Sequence, residues 1–184
     1  DDTIPEHMVL GQSGDNPING IPLMDDIPMW KNQVRVAMRN CGNIDPTDIY
    51  QYIAMGGYTA LNKALSSWQP DEVIKEVQDS GLRGRGGAAF STGTKWSFLV
   101  RSPGPVKYIL CNSEEGDPGA YNDKGILESD PHTLIEGTIL AGYATSASNG
   151  IVFIRHGHEG PIERTRIAIE QAYQLGLLGE NILG

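Results

Sequence analysis

The chain has 184 residues, 39% of them hydrophobic and 20% charged, with a formal net charge of -9. That length suits one domain with a real core, or a smaller domain carrying an extension, and the acidic balance excludes a general nucleic-acid or anionic-membrane binder. Two cysteines, Cys41 and Cys111, are too few for a disulfide framework. No stretch approaches the roughly 20 apolar residues of a membrane helix, so a reduced, cytoplasmic protein without direct membrane insertion is expected. The closing "GENILG" reads as a loop leading into another element, so the domain is expected to be incomplete at its C-terminus.

Residues 1–33 carry prolines, Asp, Asn and Gly without periodicity and read as an extended arm. A helical segment over 34–80 follows. In "NIDPTDIYQYIAMGGY" Asp45 is the expected cap, with Pro46 in the first turn, Ile49, Tyr52 and Ile53 as the apolar stripe, and Gly56-Gly57 as the stop. "YTALNKALSSW" is a second short helix. "QPDEVIKEVQDSG" is a third, opened by Pro70, with Val73, Ile74 and Val77 facing inward and Gly81 as a left-handed cap. From 81 onward, "VKYILCN" (106–112) reads as a buried strand and "PHTLIEGTILAGYATSA" as a long helix from about Pro131. "GIVFIRH" (150–156) is a second strand. An amphipathic helix with Ile162, Ile167, Ile169 and Ala172 among its apolar positions closes the chain. Strand, helix, strand, helix implies an α/β domain over 81–184 with a largely parallel sheet.

Two stretches carry the chemistry. "SGLRGRGGAAFSTGTKWSFL" (80–99) concentrates five glycines with Arg83, Arg85, Lys95 and the aromatics Phe90, Trp96 and Phe98. Glycine is costly to order, and a flexible linker would not interleave aromatics. The spacing matches neither a dinucleotide fingerprint nor a G-x-x-x-x-G-K-[ST] phosphate loop, because Thr94 separates Gly93 from Lys95. A structural turn and an anion loop stay equally open on spacing alone: backbone N–H groups here can cradle a phosphate, and Phe90 or Phe98 can stack on a ring. The second stretch is "CNSEEGDPGAYNDK", at the C-terminal end of the first strand, where open α/β sheets bind ligands. Asn112, Glu114, Glu115 and Asp117 there suit ribose hydroxyls or the N–H edge of a flavin, against the commoner reading of a solvated acidic loop. Its spacing is not that of a Ca²⁺ loop. "RHGHEG" lacks the further ligands a zinc site requires, so its histidines read as strand-end surface residues. No nucleophile elbow is present.

Taken together, "GLRGRGGAAFSTGTKWSFL", "KYILCNSEEGDPGAYNDK" and "DPHTLIEGTILAGYA" resemble the flavoprotein, NADH-binding subunit of respiratory complex I and its relatives. The lead-in "RNCGNIDPTDIYQYIAMGGYTALNKAL" is most similar to the diaphorase subunits of soluble bacterial NAD(P)-linked hydrogenases and formate dehydrogenases. The resemblance covers about residues 34–184. It implies a Rossmann-like FMN domain that exchanges a hydride with NAD(H) or NADP(H) and passes electrons to the iron–sulfur clusters of a multisubunit soluble complex. By that resemblance Gly84, Arg85, Gly86, Gly87 and Lys95 hold the flavin phosphate and edge, with Gly93 also in the cofactor-binding set. Phe90 and Phe98 flank the adenine of the nicotinamide nucleotide. Asn112, Glu114 and Glu115 contact FMN, and Asp117 lies near the nucleotide ribose. Hydride transfer requires no side chain as acid or base, so no catalytic residue is assigned.

The resemblance implies iron–sulfur partners: a thioredoxin-like 2Fe–2S subunit and a hydrogenase or formate dehydrogenase subunit. The family's 4Fe–4S cluster has no ligands in this chain. Three departures stand out. Ala89 and Ser91 replace the Gly and Pro of the usual "GAGFPTG", Glu114 and Asp117 exchange the usual Asp and Glu, and "RHGHE" replaces "R-x-E-Y-P". The alternatives are a complex I subunit that delivers electrons to quinone, and a non-catalytic scaffold relative that has lost flavin.

Overall fold

The computed structural model describes residues 11, 12, 14, 18 and 20–184. Two compact units divide the chain, Asp1–Ala37 and Met38–Gly184. Much of the expected extended arm lies outside the described residues. Within its described part, the Gln12 side chain donates to Ile18 O and Ile21 O at 2.9 and 2.6 Å. A 3-10 turn, Met24–Asp26, and the one-turn helix α1, Pro28–Lys31, follow, so residues 24–26 and 28–31 are not extended. Pro28 opens α1 because its fixed φ suits the first helical position and its missing N–H costs nothing there.

The second unit begins with three short helices: α2 (Ile49–Ala54), α3 (Thr59–Ser67) and α4 (Pro70–Asp79). The cap of α2 is Asp48, not Asp45. Asp48 accepts from Tyr50 N at 2.9 Å, while Asp45 folds its carboxylate onto Thr47 N and Oγ1 at 2.8 and 2.6 Å. Both carboxylates accept from the N–H two residues on, but Pro46 and Thr47 form a separate turn and the helix begins at Ile49, so only Asp48 reaches a helical N–H. Ile49 and Tyr52 are buried as expected, but Ile53 is exposed. The chain leaves α2 through Gly57, where a Cβ would overlap the Tyr52 ring. Gln69 and Glu72 form a capping box on α4, and Gly81 takes the left-handed turn after it at φ +68°.

Next come α5 (Thr92–Arg101) and strand β1 (Tyr108–Ser113), followed by α6 (Asn122–Ser129) and α7 (Pro131–Thr145). Strand β2 (Asn149–Ile154) and α8 (Glu159–Gln174) complete the order. Helix α6 was not legible in the sequence. The strands pair in parallel, Tyr108 with Asn149 through Ser113 with Ile154, so β1, α7 and β2 form the expected βαβ unit. The fold is therefore α/β with a parallel sheet. The buried strand expected at 106–112 is corrected, because Tyr108, Leu110, Ile151 and Phe153 stand exposed on one open face.

The core lies between helices. Ile49, Tyr52, Tyr58 and Leu61 pack with Ile135 and Ile139 of α7 and Ala168 and Ala172 of α8. Helix α8 buries Pro161, Thr165, Ala168 and Ala172, whereas Ile162, Ile167 and Ile169 are only half-buried. Small side chains let α8 approach α7 closely, which hydrophobicity alone does not reveal. A second cluster joins Ala64, Val73, Ile74 and Ala144, with Trp68 and Trp96 against it; Val77 is half-buried.

Polar groups lock this core. Glu136 of α7 accepts from Tyr52 Oη at 2.6 Å, Tyr58 N at 2.9 Å and Leu61 N at 3.1 Å. Tyr58 precedes α3 at φ 59° without a side-chain cap, so Glu136 caps that helix from across the core. Burial pushes both tyrosine hydroxyls to higher pKa, reinforced for Tyr52 by its hydrogen bond to Glu136 and for Tyr58 by the charge Tyr52 would carry. His132 bonds Tyr58 Oη at 2.9 Å and Gln171 Oε1 at 3.0 Å. Because Gln171 Nε2 donates to Thr47 O, its Oε1 is an acceptor, so His132 donates through Nε2 and accepts from Tyr58 through Nδ1.

Candidate functional site: a glycine hairpin and the strand ends

The glycine stretch folds as a small hairpin. Arg83 pairs antiparallel with Ser91, Gly84 N donates to Phe90 O at 2.8 Å, and Thr92 N donates to Leu82 O at 3.0 Å. Arg83 Nη1 donates to Ala89 O at 3.2 Å, so this cation braces the hairpin itself. At the tip, the backbone N–H groups of Arg85, Gly86, Gly87, Ala88 and Ala89 donate to no protein acceptor among the described residues. A Cβ on Gly86 or Gly87 would meet nothing within 4 Å, and Gly87 has φ +104°. The tip is thus an exposed run of free donors, the arrangement a phosphate or another anion uses. Ala89 adopts φ 48°, a left-handed conformation that is strained for an L side chain.

Helix α5 starts at the foot of this hairpin. Ser91 accepts from Thr94 N at 3.4 Å and from Thr94 Oγ1 at 3.0 Å, so the serine caps the helix. Gly93 is buried in the first turn, where a Cβ would lie 2.8 Å from Gln78 N of α4. Close helix packing therefore accounts for that glycine by itself. Lys95 is exposed one residue past Thr94. Phe90 and Phe98 are 46% and 51% exposed, with ring centroids 6.1 Å apart, an uncovered aromatic pair beside the free N–H groups.

The other sequence-predicted residues stand at the end of β1. Asn112 is the exposed penultimate residue of the strand, and its Oδ1 accepts from Glu114 N at 3.1 Å. Glu115 turns toward α6, accepting from Asp123 N at 3.0 Å and Lys124 N at 3.1 Å. Desolvation pushes its pKa up, but these N–H groups, that of Asn122 and the Lys124 charge outweigh it and hold the carboxyl below its ordinary value. Asp123 responds oppositely, raised by burial and by the charge of Glu115. Asp117 is exposed, and its carbonyl closes a turn through Pro118 and Gly119 to Ala120 N at 3.0 Å. Glu114 meets Arg155, the first residue after β2, at 2.8 Å.

The structure thus gathers the predicted residues into two groups. Gly84, Arg85, Gly86, Gly87, Phe90, Gly93, Lys95 and Phe98 belong to the hairpin and α5. Asn112, Glu114, Glu115 and Asp117 belong to the strand end. Among the described residues no hydrogen bond or ring contact joins the two groups. Arg155 and the Ser91 cap were missed as site elements; only the "RHGHE" and "FSTG" departures pointed to them. A cavity of about 710 Å³ lies at the opposite end of the strands, lined by Ile109, Tyr143, Asn149 and Leu178 among others, with none of the predicted residues.

Comparison with known proteins decides the family. Residues 77–181 match the complex I 51K family, described as the Nuo51 FMN-binding domain. The chain belongs to this family. The NADP-reducing hydrogenase subunit HndC of Solidesulfovibrio fructosivorans is 48% identical over 84% of this chain and 31% of its own length. An NADH-quinone oxidoreductase subunit of Rhizobium meliloti is 46% identical over 81% of this chain and 35% of its own length. Among solved structures, an NAD+-reducing nickel–iron hydrogenase in the H2-reduced state matches with a TM-score of 0.59 at 28% identity, over 84% of this chain and 26% of that one. The chain therefore spans about a third of the length of the curated relatives it matches. Among the described residues no helix is long and apolar enough to cross a membrane.

Proposed function

We propose that this chain is the FMN-binding part of an NAD(P)H-linked flavoprotein subunit, which exchanges electrons between a nicotinamide nucleotide and iron–sulfur clusters on partner subunits of a soluble, cytoplasmic complex of the hydrogenase or formate dehydrogenase type. The observation that carries this reading is the hairpin tip, with free N–H groups from Arg85 to Ala89 beside an exposed aromatic pair, in a chain of the Nuo51 FMN-binding family. The residues fit the group: an acidic protein presents here a local run of donors with Arg85 and Lys95, the chemistry a phosphomonoester requires.

In this reading Gly84, Arg85, Gly86, Gly87 and Lys95 bind the phosphate of FMN. Asn112 and Glu114 face the flavin from the end of β1, and Glu115 holds their loop to the start of α6. Phe90 and Phe98 receive the adenine, and Asp117 a ribose. When bound, FMN supplies the conversion between a two-electron hydride and single electrons. This chain's residues bind and orient the two nucleotides, and none is assigned a proton to move. The comparable identity to NADH-quinone oxidoreductase subunits supports a second reading, a complex I subunit whose electrons reach quinone.

The test is an absorption spectrum of the full natural polypeptide purified with its partners, followed by anaerobic addition of NADH and of NADPH. A visible flavin band that bleaches is expected. A colourless complex that stays so after added FMN overturns the reading and leaves a scaffold. Quinone reduction by the purified complex would select the second reading.

A further inference from the structure

Arg155 has no task in the function proposed above. It directly follows β2, and its Nη1 donates to Glu114 Oε1 at 2.8 Å, joining chain segments 41 residues apart. The two residues stand just beyond the C-terminal ends of paired parallel strands, where Ser113 is in register with Ile154. Between them lies Gly116. A Cβ there would come within 2.8 Å of Arg155 Nη1 and within 3.1 and 3.3 Å of the two Glu114 carboxylate oxygens. A larger residue there would have to push these two side-chain ends aside, so the glycine leaves room for the ion pair; its own backbone φ is not in the left-handed range.

Stability does not explain the arrangement. The side chains of Arg155 and Glu114 are 42% and 37% exposed, and ion pairs this open contribute little to folding. The pair does fix a charge. Arg155 neutralises Glu114 and holds one carboxylate oxygen, while among the described residues Oε2 accepts no hydrogen bond and stays available to a ligand. The neighbouring Glu115 commits both of its oxygens to α6. Of the two adjacent glutamates, Glu114 alone therefore presents a free oxygen, and Arg155 decides where that oxygen points.

We propose that Arg155 is a positioning residue, which acts through Glu114 to set the electrostatic environment, and hence the two-electron midpoint potential, of the flavin. The assignment rests on reading Asn112 to Asp117 as the flavin-facing loop. Adding electrons to the flavin is opposed by a bare carboxylate nearby and favoured by a bare cation. Arg155→Gln leaves Glu114 unpaired and lowers the potential. Glu114→Gln leaves Arg155 unpaired and raises it. The expected size in each direction is about tenfold in the ratio of affinities for reduced and oxidised FMN, equivalent to about 30 mV for a two-electron couple.

The experiment is an anaerobic redox titration of bound flavin in the full polypeptide with its partner subunits, for wild type, Arg155→Gln, Glu114→Gln, the double variant and Arg155→Lys. Shifts of opposite sign in the two single variants, with the double variant near wild type, are expected. A bridge that merely tied the loops together would be broken equally by either change, so shifts of the same sign, or none beyond about twofold, overturn the assignment. Arg155→Lys keeps the charge and stays within about threefold of wild type; if Arg155→Gln does not assemble, the Glu114→Gln titration decides, a lowered or unchanged potential there overturning the assignment. A wild-type complex without flavin overturns the underlying functional reading instead, and this assignment with it.

Discussion

Glu136→Gln is the sharpest test of how the domain is held together. Glu136 is 7% exposed, and its two oxygens serve three donors, Tyr52 Oη, Tyr58 N and Leu61 N, at 2.6 to 3.1 Å. Two of these are backbone N–H groups at the start of α3, sealed by Tyr52 at 1% and Leu61 at 0% exposure, so water cannot replace the carboxylate. An amide in its place turns one acceptor into a donor facing another donor and removes the charge from the remaining bonds. Charge-assisted bonds contribute about 1.5–3 kcal/mol each and a buried orphaned donor costs about 1–3 kcal/mol, so a net loss of about 3 kcal/mol is expected. With a urea m-value of about 2 kcal/mol/M, the unfolding midpoint falls by about 1.5 M. The assay is urea unfolding of the full polypeptide followed by tryptophan fluorescence, which reports on Trp68 and Trp96 beside the second core cluster. A fall of less than about 0.3 M, within the error of such extrapolations, would refute the view that Glu136 caps α3.

Further outcomes are expected. Burial lowers the pKa of His132 below its ordinary 6.5, against the opposing effects of Gln171 and the Asp130 charge. Its contribution to stability is therefore complete above about pH 6.5 and is lost as pH falls below it; urea midpoints of wild type between pH 8 and 5 should decline more steeply on the acid side than those of His132→Gln. Ala89→Gly relieves a left-handed strain of about 1–2 kcal/mol and costs about 0.4–1 kcal/mol through the unfolded chain. A gain of about 0.5 kcal/mol in thermal unfolding is expected, and a clear loss would contradict the positive φ. On the proposed reading, Lys95→Ala removes a charge-assisted phosphate contact, and FMN binding is expected to weaken about 10- to 100-fold in a fluorescence titration of the apo-polypeptide. Unchanged affinity would take Lys95 out of the site.

Elements announced by local chemistry were legible. Pro70 opens α4, Gly81 ends it, and the β-branched run at Ile151 to Ile154 is the second strand. The glycine stretch was legible as a place of unusual backbone, and Ala89, which stands in place of a glycine of the resembled pattern, holds a left-handed angle. Helix α6 escaped notice because "NDKGILES" has weak propensity, and its cap, Glu115, lies seven residues before its first residue. Glu136 and His132 carried a signal that could have been read: two ionisable residues inside the otherwise apolar "PHTLIEGTILAGYA" demand buried partners.

By itself, then, the sequence determined the α/β class, the two strands, the helices α2 to α4, α7 and α8, and the residue types of the candidate site, but not α5 or α6, because propensity, turn chemistry and period act within a few residues of one another. Tertiary structure alone decided which carboxylates stay free. Glu115 is committed to α6, Glu136 to α3, and Glu114 to an arginine 41 residues away. Those choices depend on which N–H groups and cations the folded backbone brings within about 3 Å, a distance that no local pattern encodes.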